Sequence, residues 1–272
     1  MADTRINFLA RGITARRGPP PIATRALRAR ARTLAALALA MLASSAAPVL
    51  AQQKLAHALG EFEFLPSPNG IVIAAPHGTY DAGTAALAID IARRLGAGYL
   101  VARRFSVEGT RINVNRPTEG AGRPCAEEVH STRAREVFEA YVRLLAMTAQ
   151  GRPLRLYVEI HGNGDTRSAQ RIEVATVGVS TDEARHAKAA YPIQVGRARA
   201  RAPAFPDLEL AVEPHDVLVF GARCAKAFGV FIMDPVRRVL HVELPRSTRD
   251  AETSEATARL LTEVVREFES AR

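Results

Sequence analysis

From about residue 70 onward, short apolar runs alternate with polar and glycine-containing breaks. This pattern predicts strands at 71–75, 99–102, 111–115, 154–160, 171–177, 216–220, 228–233 and 239–244. Apolar positions at helical spacing predict helices near 84–95, 126–149 and 251–270, and a helix from 182 that leads into an extended loop up to 215. Alternating strands and helices favour an α/β fold with a mixed central β-sheet flanked by helices.

Four side chains that can carry chemistry lie in or just beyond three of the predicted strands: His77, Asp81, His161 and Glu243. In open α/β sheets, catalytic groups collect at the carboxyl ends of strands, so we expect these four to lie close together. Two imidazoles and one carboxylate can hold a zinc ion and leave its fourth position open for water. The second carboxylate can then move the proton of that water.

Each of these residues also has a simpler interpretation. A lone buried histidine is commonly a hydrogen-bonded core residue, although the glycine after His161 permits a close backbone approach. Asp81 stands where it could cap the helix that starts near residue 84. Glu243 could be a charge at the end of a strand that faces water. His241 alternates with Glu243, so it points to the same face of its strand and could support the site from behind.

Residues 1–51 have the layout of a secretory signal peptide. An arginine-rich start is followed by an apolar run at 34–43, which is too short to span a membrane, and by small residues ending at Val49-Leu50-Ala51. We expect cleavage between Ala51 and Gln52, which leaves 52–272 as a single domain in the periplasm or outside the cell, without a stable membrane anchor. The alternatives are a basic tail without structure or a start codon placed too early.

The predicted leader also explains the charge. The chain carries a formal net charge of +9, but the leader holds eight arginines against one acidic residue, Asp3, so residues 52–272 carry only about +2. Nucleic acid is therefore not an expected partner. Residues 52–272 contain two cysteines, Cys125 and Cys224, which an oxidising compartment would allow to pair. Two free, buried thiols are an equally good interpretation of the sequence.

Four motifs, taken in order, resemble those of zinc enzymes of the N-formylglutamate amidohydrolase-like and poly-γ-glutamate hydrolase-like families. They are Pro76-His77-Gly78-Thr79-Tyr80-Asp81-Ala82-Gly83-Thr84, Arg111-Ile112-Asn113-Val114-Asn115-Arg116-Pro117, Glu159-Ile160-His161-Gly162 and His241-Val242-Glu243-Leu244. The resemblance covers about 70–250 and implies the fold of zinc carboxypeptidases and aspartoacylases. Two departures stand out. Asn113 replaces the aspartate that is usual in the family signature, and the acidic residue follows the first histidine by four positions, where carboxypeptidases use three.

The resemblance implies a role for each residue. The ligands of Zn²⁺ would be His77, Asp81 and His161, and Glu243 would be the catalytic proton carrier. The substrate carboxylate would be bound by Asn115, Arg116 and Arg111, because an arginine can bond a carboxylate through two nitrogens. Arg104 is favoured over Arg103 and Arg111 as the cation that stabilises the developing oxyanion. In a chain this rich in arginine, each of them could equally be a solvated surface charge.

The sequence therefore predicts a secreted, zinc-dependent amidohydrolase that cleaves an amide bond in an N-acyl amino acid or a peptide-like substrate with a free carboxylate. A metallocarboxypeptidase or a cell-wall peptide hydrolase is a second interpretation. A third is a binding protein that has kept the pocket but has no catalytic activity. The expected partner in all three is a small-molecule or peptide-like carboxylate.

Overall fold

The computed structural model describes residues 51–120, 124–234 and 236–271, which belong to one compact unit. The predicted leader lies outside these residues, apart from Ala51. Within the described part of the chain, no helix is both long and apolar enough to cross a bilayer.

The secondary structure follows the predicted alternation of strands and helices. The strands are β1 (Gln53–His57), β2 (Gly60–Leu65), β3 (Ile71–Ala75), β4 (Gly98–Arg103), β5 (Ser106–Val107), β6 (Thr110–Asn113), β7 (Thr118–Glu119), β8 (Val129–His130), β9 (Leu156–Gly162), β10 (Arg171–Val177), β11 (Glu209–Val212) and β12 (Val239–Leu244). The helices are α1 (Thr84–Leu95), α2 (Thr132–Thr148), α3 (Thr181–Arg201), α4 (Arg223–Phe228) and α5 (Ser254–Ser270).

Eight strands form one mixed sheet in the order β1-β2-β4-β3-β9-β12-β10-β11. The four central strands β4, β3, β9 and β12 run parallel to one another. The pairs β1–β2, β2–β4 and β10–β12 are antiparallel. The short strands β5 to β8 form a separate sheet. The predicted mixed α/β fold is therefore confirmed, and the parallel centre places the ends of β3, β9 and β12 at one edge.

Apolar side chains pack on both faces of the large sheet. Strand β9 shows the division: Leu156, Val158 and Ile160 enter a core with α1, α3 and α5, whereas Tyr157 enters a second core with α2. Successive residues of a strand point to opposite faces, so Glu159 and His161 share the face of Tyr157. Strand β9 therefore packs apolar side chains into the core on one face and presents Glu159 and His161 on the other.

Helix α2 begins later than the predicted start at 126. Ser131 is its N-cap, and its side chain accepts a hydrogen bond from the Ala134 amide at 3.1 Å, so the helix starts at Thr132. The preceding residues form a short 3₁₀ turn, Cys125–Glu127, and strand β8. Cys125 forms a disulfide with Cys224, at a Cα–Cα distance of 5.2 Å. The structure thus decides the question that the sequence left open.

Two predicted strands, 216–220 and 228–233, are wrong. The apolar run at 216–220 forms a loop, although β11 is the last strand of the sheet and its outer edge is unpaired within the described residues. The Phe220 amide donates instead to the side chain of Glu173 on β10, at 2.8 Å. The run at 228–233 contains the end of α4 and a 3₁₀ turn, Val230–Ile232. Val230 and Phe231 are buried there in the core beside α2. Their apolar character reflects core packing rather than strand pairing.

Candidate metal centre

Two adjacent parallel strands and the loop after one of them bring three predicted metal ligands together. His77 follows β3 and His161 lies on β9, while Asp81 belongs to the loop between β3 and α1. Asp81 Oδ2 lies 3.5 Å from His77 Nδ1 and 3.3 Å from His161 Nδ1. All three residues are buried, and one ligand atom from each lies within 4.8 Å of the others. The arrangement could hold a metal ion.

Asp81 does not cap the helix that follows it. The N-cap of α1 is Gly83, which makes no side-chain cap, and its φ of 88° is a left-handed conformation that suits glycine. Asp81 is held through its backbone instead: its amide donates to the His77 carbonyl at 2.8 Å, and its carbonyl accepts from the Thr84 amide at 3.1 Å. The carboxylate is therefore free to face both histidines.

The ring of His77 fits a metal ligand. Both of its ring nitrogens are buried and have no hydrogen-bond partner. Burial, together with the positive charge of Arg111, lowers the pKa of His77 to about 3, so the imidazole is neutral and keeps a lone pair. A buried nitrogen without a partner is costly, and coordination to a cation would satisfy it.

Glu159 contacts His161 at the ring nitrogen that does not face Asp81. Its Oε2 lies 2.9 Å from His161 Nε2 and 3.2 Å from His241 Nδ1, and it accepts a hydrogen bond from Asn115 Nδ2 at 2.9 Å. A carboxylate on one ring nitrogen fixes the tautomer and the orientation of a metal-binding imidazole, here with Nδ1 facing Asp81. The alternative cluster of Glu159, His161 and His241 is less suitable for a metal, because both Glu159 oxygens already accept hydrogen bonds from outside the cluster, Oε2 from Asn115 Nδ2 and Oε1 from Tyr157 OH.

The protonation of His161 follows from the two carboxylates beside it. Burial alone would lower its pKa, but hydrogen bonds to Asp81 and Glu159 outweigh that effect and raise the pKa to about 10. Burial likewise opposes ionisation of both acids, yet their imidazole partners hold the pKa values of Asp81 and Glu159 well below the usual range. A metal cation between these side chains would displace the imidazole proton, because ligands bind in their deprotonated forms.

Two tyrosines extend this network into the core beside α2. Tyr157 OH donates to Glu159 Oε1 at 2.9 Å, and the hydroxyls of Tyr141 and Tyr157 lie 2.6 Å apart. Burial is the largest of the causes that raise both tyrosine pKa values well above 10, so the hydroxyls stay neutral. The buried network therefore gives Glu159 a fixed position, and Glu159 in turn fixes His161.

Glu243 lies on the strand next to His161. Strands β12 and β9 are parallel, and Glu243 is paired in register with His161. Glu243 Oε1 lies 3.3 Å from His241 Nε2, and Oε2 accepts from Asn163 Nδ2 at 3.4 Å. The predicted proton carrier thus has a polar partner at each carboxylate oxygen and lines the same cleft as the three candidate ligands.

The residues predicted to bind the substrate carboxylate or the oxyanion have different environments in the structure. Arg111 lines the cleft with a buried Nε that has no partner, and burial lowers its pKa. Arg116 also lines the cleft, but its guanidinium is paired with Glu128: Nε donates to Oε2 at 2.7 Å and Nη2 donates to Oε1 at 2.6 Å. Asn115 is engaged with Glu159 and with Arg116.

Arg104 is not brought to the cleft. Its side chain is 67% exposed, and its guanidinium lies 2.8 Å from Glu61. Arg103, the other upstream candidate, lies 3.6 Å from Glu63. Of the three arginines that the sequence offered for the oxyanion, Arg111 alone lines the cleft in the described part of the chain.

The cleft has a volume of about 1110 Å³, enough for a peptide-sized ligand. Its lining includes the candidate ligands with His241 and Glu243, and also the Cys125–Cys224 disulfide. The metal centre therefore lies in a site that a sizeable substrate can enter.

Arg249 ties the two loops of the metal centre together, a role that the sequence did not reveal. Its guanidinium donates to the carbonyl of Ala82 and, at 3.2 Å, to the carbonyl of Asn163. It also interacts electrostatically with Asp81 and Glu243. A Cβ on Gly162 would overlap Arg249 Cζ, so the guanidinium group would have to move away from its present position.

We expect Gly162→Ala to displace Arg249 and loosen the centre. The methyl group would push the end of Arg249 away from its carbonyl partners. A lost hydrogen bond to a charged group costs about 1.5–3 kcal/mol, so the melting temperature of the metal-free protein and its metal affinity should both fall. Thermal unfolding in EDTA and a zinc titration measure the two effects. Gly164→Ala is the matched control, since nothing lies within 4 Å of an added Cβ there. Equal behaviour of both variants would contradict this role of Arg249.

Sequence reasoning missed Glu159 as part of the site, although a signal was present. It precedes His161 by two residues in a strand, so both side chains must share a face, the same rule that linked His241 to Glu243. No comparable local signal marks Arg249, because its partners lie far away in the sequence.

No family model matches the chain, and no curated protein sequence matches it. Among solved structures, the chain is similar to a bacteriophage poly-gamma-glutamate hydrolase, with 11% identity and a TM-score of 0.41 over 86% of this chain and 97% of that one. It is also similar to a metallo-carboxypeptidase from Burkholderia cenocepacia, with 14% identity and a TM-score of 0.39 over 86% of this chain and 68% of that one. These similarities are too distant to assign a family, a metal or an activity. The resemblance to N-formylglutamate amidohydrolases stays a prediction.

Proposed function

We propose that the protein is a zinc-dependent hydrolase that cleaves an amide bond in an N-acyl amino acid or a peptide-like substrate with a free carboxylate. The observation that carries the proposal is the meeting of His77, Asp81 and His161 at one edge of the sheet, with Glu243 on the next strand and all four in one cleft. Two imidazoles and a carboxylate match the ligand set of hydrolytic zinc sites. The sequence resemblance described above supports the same assignment.

The protein side chains supply the remaining chemistry. Zinc, when bound, polarises a carbonyl group and makes water more acidic. Glu243 accepts the proton of the attacking water as the water oxygen bonds to the carbonyl carbon. It then gives that proton to the amine as the C–N bond breaks, so the products are a carboxylate and a free amine.

Arg111 is the cation best placed to bind negative charge on the substrate. It lines the cleft, its Nε lacks a partner, and it interacts electrostatically with Asp81 and Glu243. It can serve the substrate carboxylate or the developing oxyanion, because both need a charged donor in a partly desolvated site. Asn115 and Arg116 act with it mainly by holding Glu159 and Glu128 in place.

The experiment that tests the function compares substrate classes. Purified protein, treated with EDTA and then supplied with zinc, is assayed against a panel of N-acyl amino acids and a panel of peptides with free carboxyl termini. Zinc-restored hydrolysis of the first panel supports an amidohydrolase, and cleavage of the second supports the alternative of a metallocarboxypeptidase or cell-wall peptide hydrolase. A protein that binds members of either panel but hydrolyses neither with zinc restored would be a binding protein.

We also propose that the protein is exported and acts in the periplasm or outside the cell. The signal-like layout of residues 1–51 supports this, and so does the Cys125–Cys224 disulfide, which fits an oxidising compartment. Expression of the full chain should yield a product that begins at Gln52. N-terminal sequencing of the periplasmic and medium fractions checks this result, and an intact N-terminus found only in cytoplasm would contradict it.

A further inference from the structure

One wall of the cleft is apolar. It is formed by Leu218, Val219 and Phe220, which belong to the run that the sequence predicted as a strand, and all three are partly exposed towards the cleft. We call these three residues the apolar wall. The neighbouring Val217 is 89% exposed and does not line the cleft. Apolar side chains left partly exposed inside a binding cleft are typical of a surface that a ligand covers.

A buried carboxylate fixes the apolar wall to the sheet. Glu173 on β10 is 0% exposed, and its Oε2 accepts a hydrogen bond from the Phe220 amide at 2.8 Å. Glu173 pairs in register with Glu243 on β12, so their side chains lie on the same face of the sheet. Burying a carboxyl group is costly unless it is hydrogen-bonded. This one bonds the backbone of the apolar wall from the strand that pairs with the strand of the proposed proton carrier.

The residues on both sides of the apolar wall are also held. Before it, Glu213 accepts from the Thr176 amide at 3.1 Å, and after it Cys224 is joined to Cys125 by the disulfide. A segment fixed at both ends and in the middle presents its side chains in a defined position. Such a preformed surface loses little entropy when a ligand binds.

Other parts of the cleft carry positively charged side chains. Arg111 and Arg116 line it, and the exposed Arg223 lies next to the disulfide. A ligand that satisfies both parts must carry an apolar group and a negative charge. Small polar acyl amino acids, such as an acetyl derivative of alanine, would leave the apolar wall in water.

We propose that the apolar wall is a subsite for a bulky apolar group of the substrate, so that the substrate is an amphiphilic amide with a leucine- or phenylalanine-sized group and a carboxylate. This inference rests on the proposed function for the position of the scissile bond. Filling an apolar pocket changes specificity by about 10- to 200-fold for a single methylene difference. We therefore expect a preference of at least about tenfold for bulky over small groups.

Binding to EDTA-treated protein tests the subsite without turnover. Calorimetric titration compares N-acetyl-, N-isovaleryl- and N-phenylacetyl-alanine, and then N-acetyl-leucine and N-acetyl-phenylalanine, which place the apolar group on the other side of the amide. The affinity should rise with apolar size in at least one series. Leu218→Ser and Phe220→Ser should weaken binding of the bulky ligands about tenfold or more and leave the acetyl-alanine affinity unchanged. Val217→Ser, next to the apolar wall but off the cleft, is the matched control and should bind like the unaltered protein.

Glu173 needs its own variants, because its proposed role is to position the apolar wall. Glu173→Gln keeps an acceptor for the Phe220 amide and should retain the preference for bulky ligands, whereas Glu173→Leu should lose it. Loss in both variants together with a lowered melting temperature would indicate a structural role only and would overturn the positioning role.

The outcomes separate this inference from the proposed function. Equal affinity for small and bulky ligands, or equal effects of Val217→Ser and Phe220→Ser, would overturn the apolar subsite even if the zinc-restored protein hydrolyses the panel. Size-dependent binding that Phe220→Ser abolishes would support the subsite even if no member of the panel were hydrolysed, a result that would count against the function alone.

Discussion

The double variant His77→Ala/His161→Ala is expected to lose its zinc, while the unaltered protein binds about one zinc ion per chain. His77 follows β3 and His161 lies on the adjacent strand β9, and both rings face Asp81. The ring nitrogens of His77 have no hydrogen-bond partner. Removing both imidazoles leaves one carboxylate, which cannot hold zinc alone because structural and catalytic sites use three or four protein ligands. Elemental analysis of protein dialysed against equal free zinc measures the difference.

A matched control for this prediction is His186→Ala/His215→Ala. Both of these histidines are exposed and lie outside the cleft, so the substitution removes the same number of imidazoles without touching the centre. Circular dichroism must show that both double variants remain folded. Equal zinc content in the unaltered protein and the His77/His161 variant would show that the metal, if any, binds elsewhere.

The second prediction concerns catalysis. Glu243→Gln should lower kcat by about 10²–10⁴-fold, because the amide keeps the shape of the side chain but cannot accept a proton. Zinc content should not change, since Glu243 is not among the candidate ligands, and KM should change little if only transition-state assistance is lost. Steady-state hydrolysis of an N-acyl amino acid, with zinc measured in each preparation, provides the test.

Glu252→Gln is a suitable control, because Glu252 is exposed and lies outside the cleft. It makes the same chemical change and should retain the full kcat. A Glu243→Gln protein with normal zinc and near-normal kcat would remove Glu243 from the mechanism. The proposed general base would then have to be sought among the other carboxylates of the cleft.

The sequence by itself determined the parts of the site that depend on local periodicity. Strand runs that end in polar residues placed His77, His161 and Glu243 at one edge of a sheet, and alternation along β12 put His241 beside Glu243. These predictions needed only the period of a strand and the parallel direction of neighbouring strands. The same rule applied to β9 would have added Glu159.

Only the tertiary structure decided features that depend on contacts between distant segments. Three features depend on residues far apart in the chain: the pairing of Cys125 with Cys224, the choice among the candidate oxyanion arginines, and the joining of two loops by Arg249. The run at 216–220 shows the reason most clearly. Its apolar residues suit a strand, and the outer edge of β11 is unpaired within the described residues, yet the run joins no strand. Its Phe220 amide donates to the Glu173 side chain, and the disulfide holds Cys224 just beyond it. The run therefore lines the cleft instead, because hydrogen-bond partners for a backbone are assigned by the whole fold and not by the local sequence.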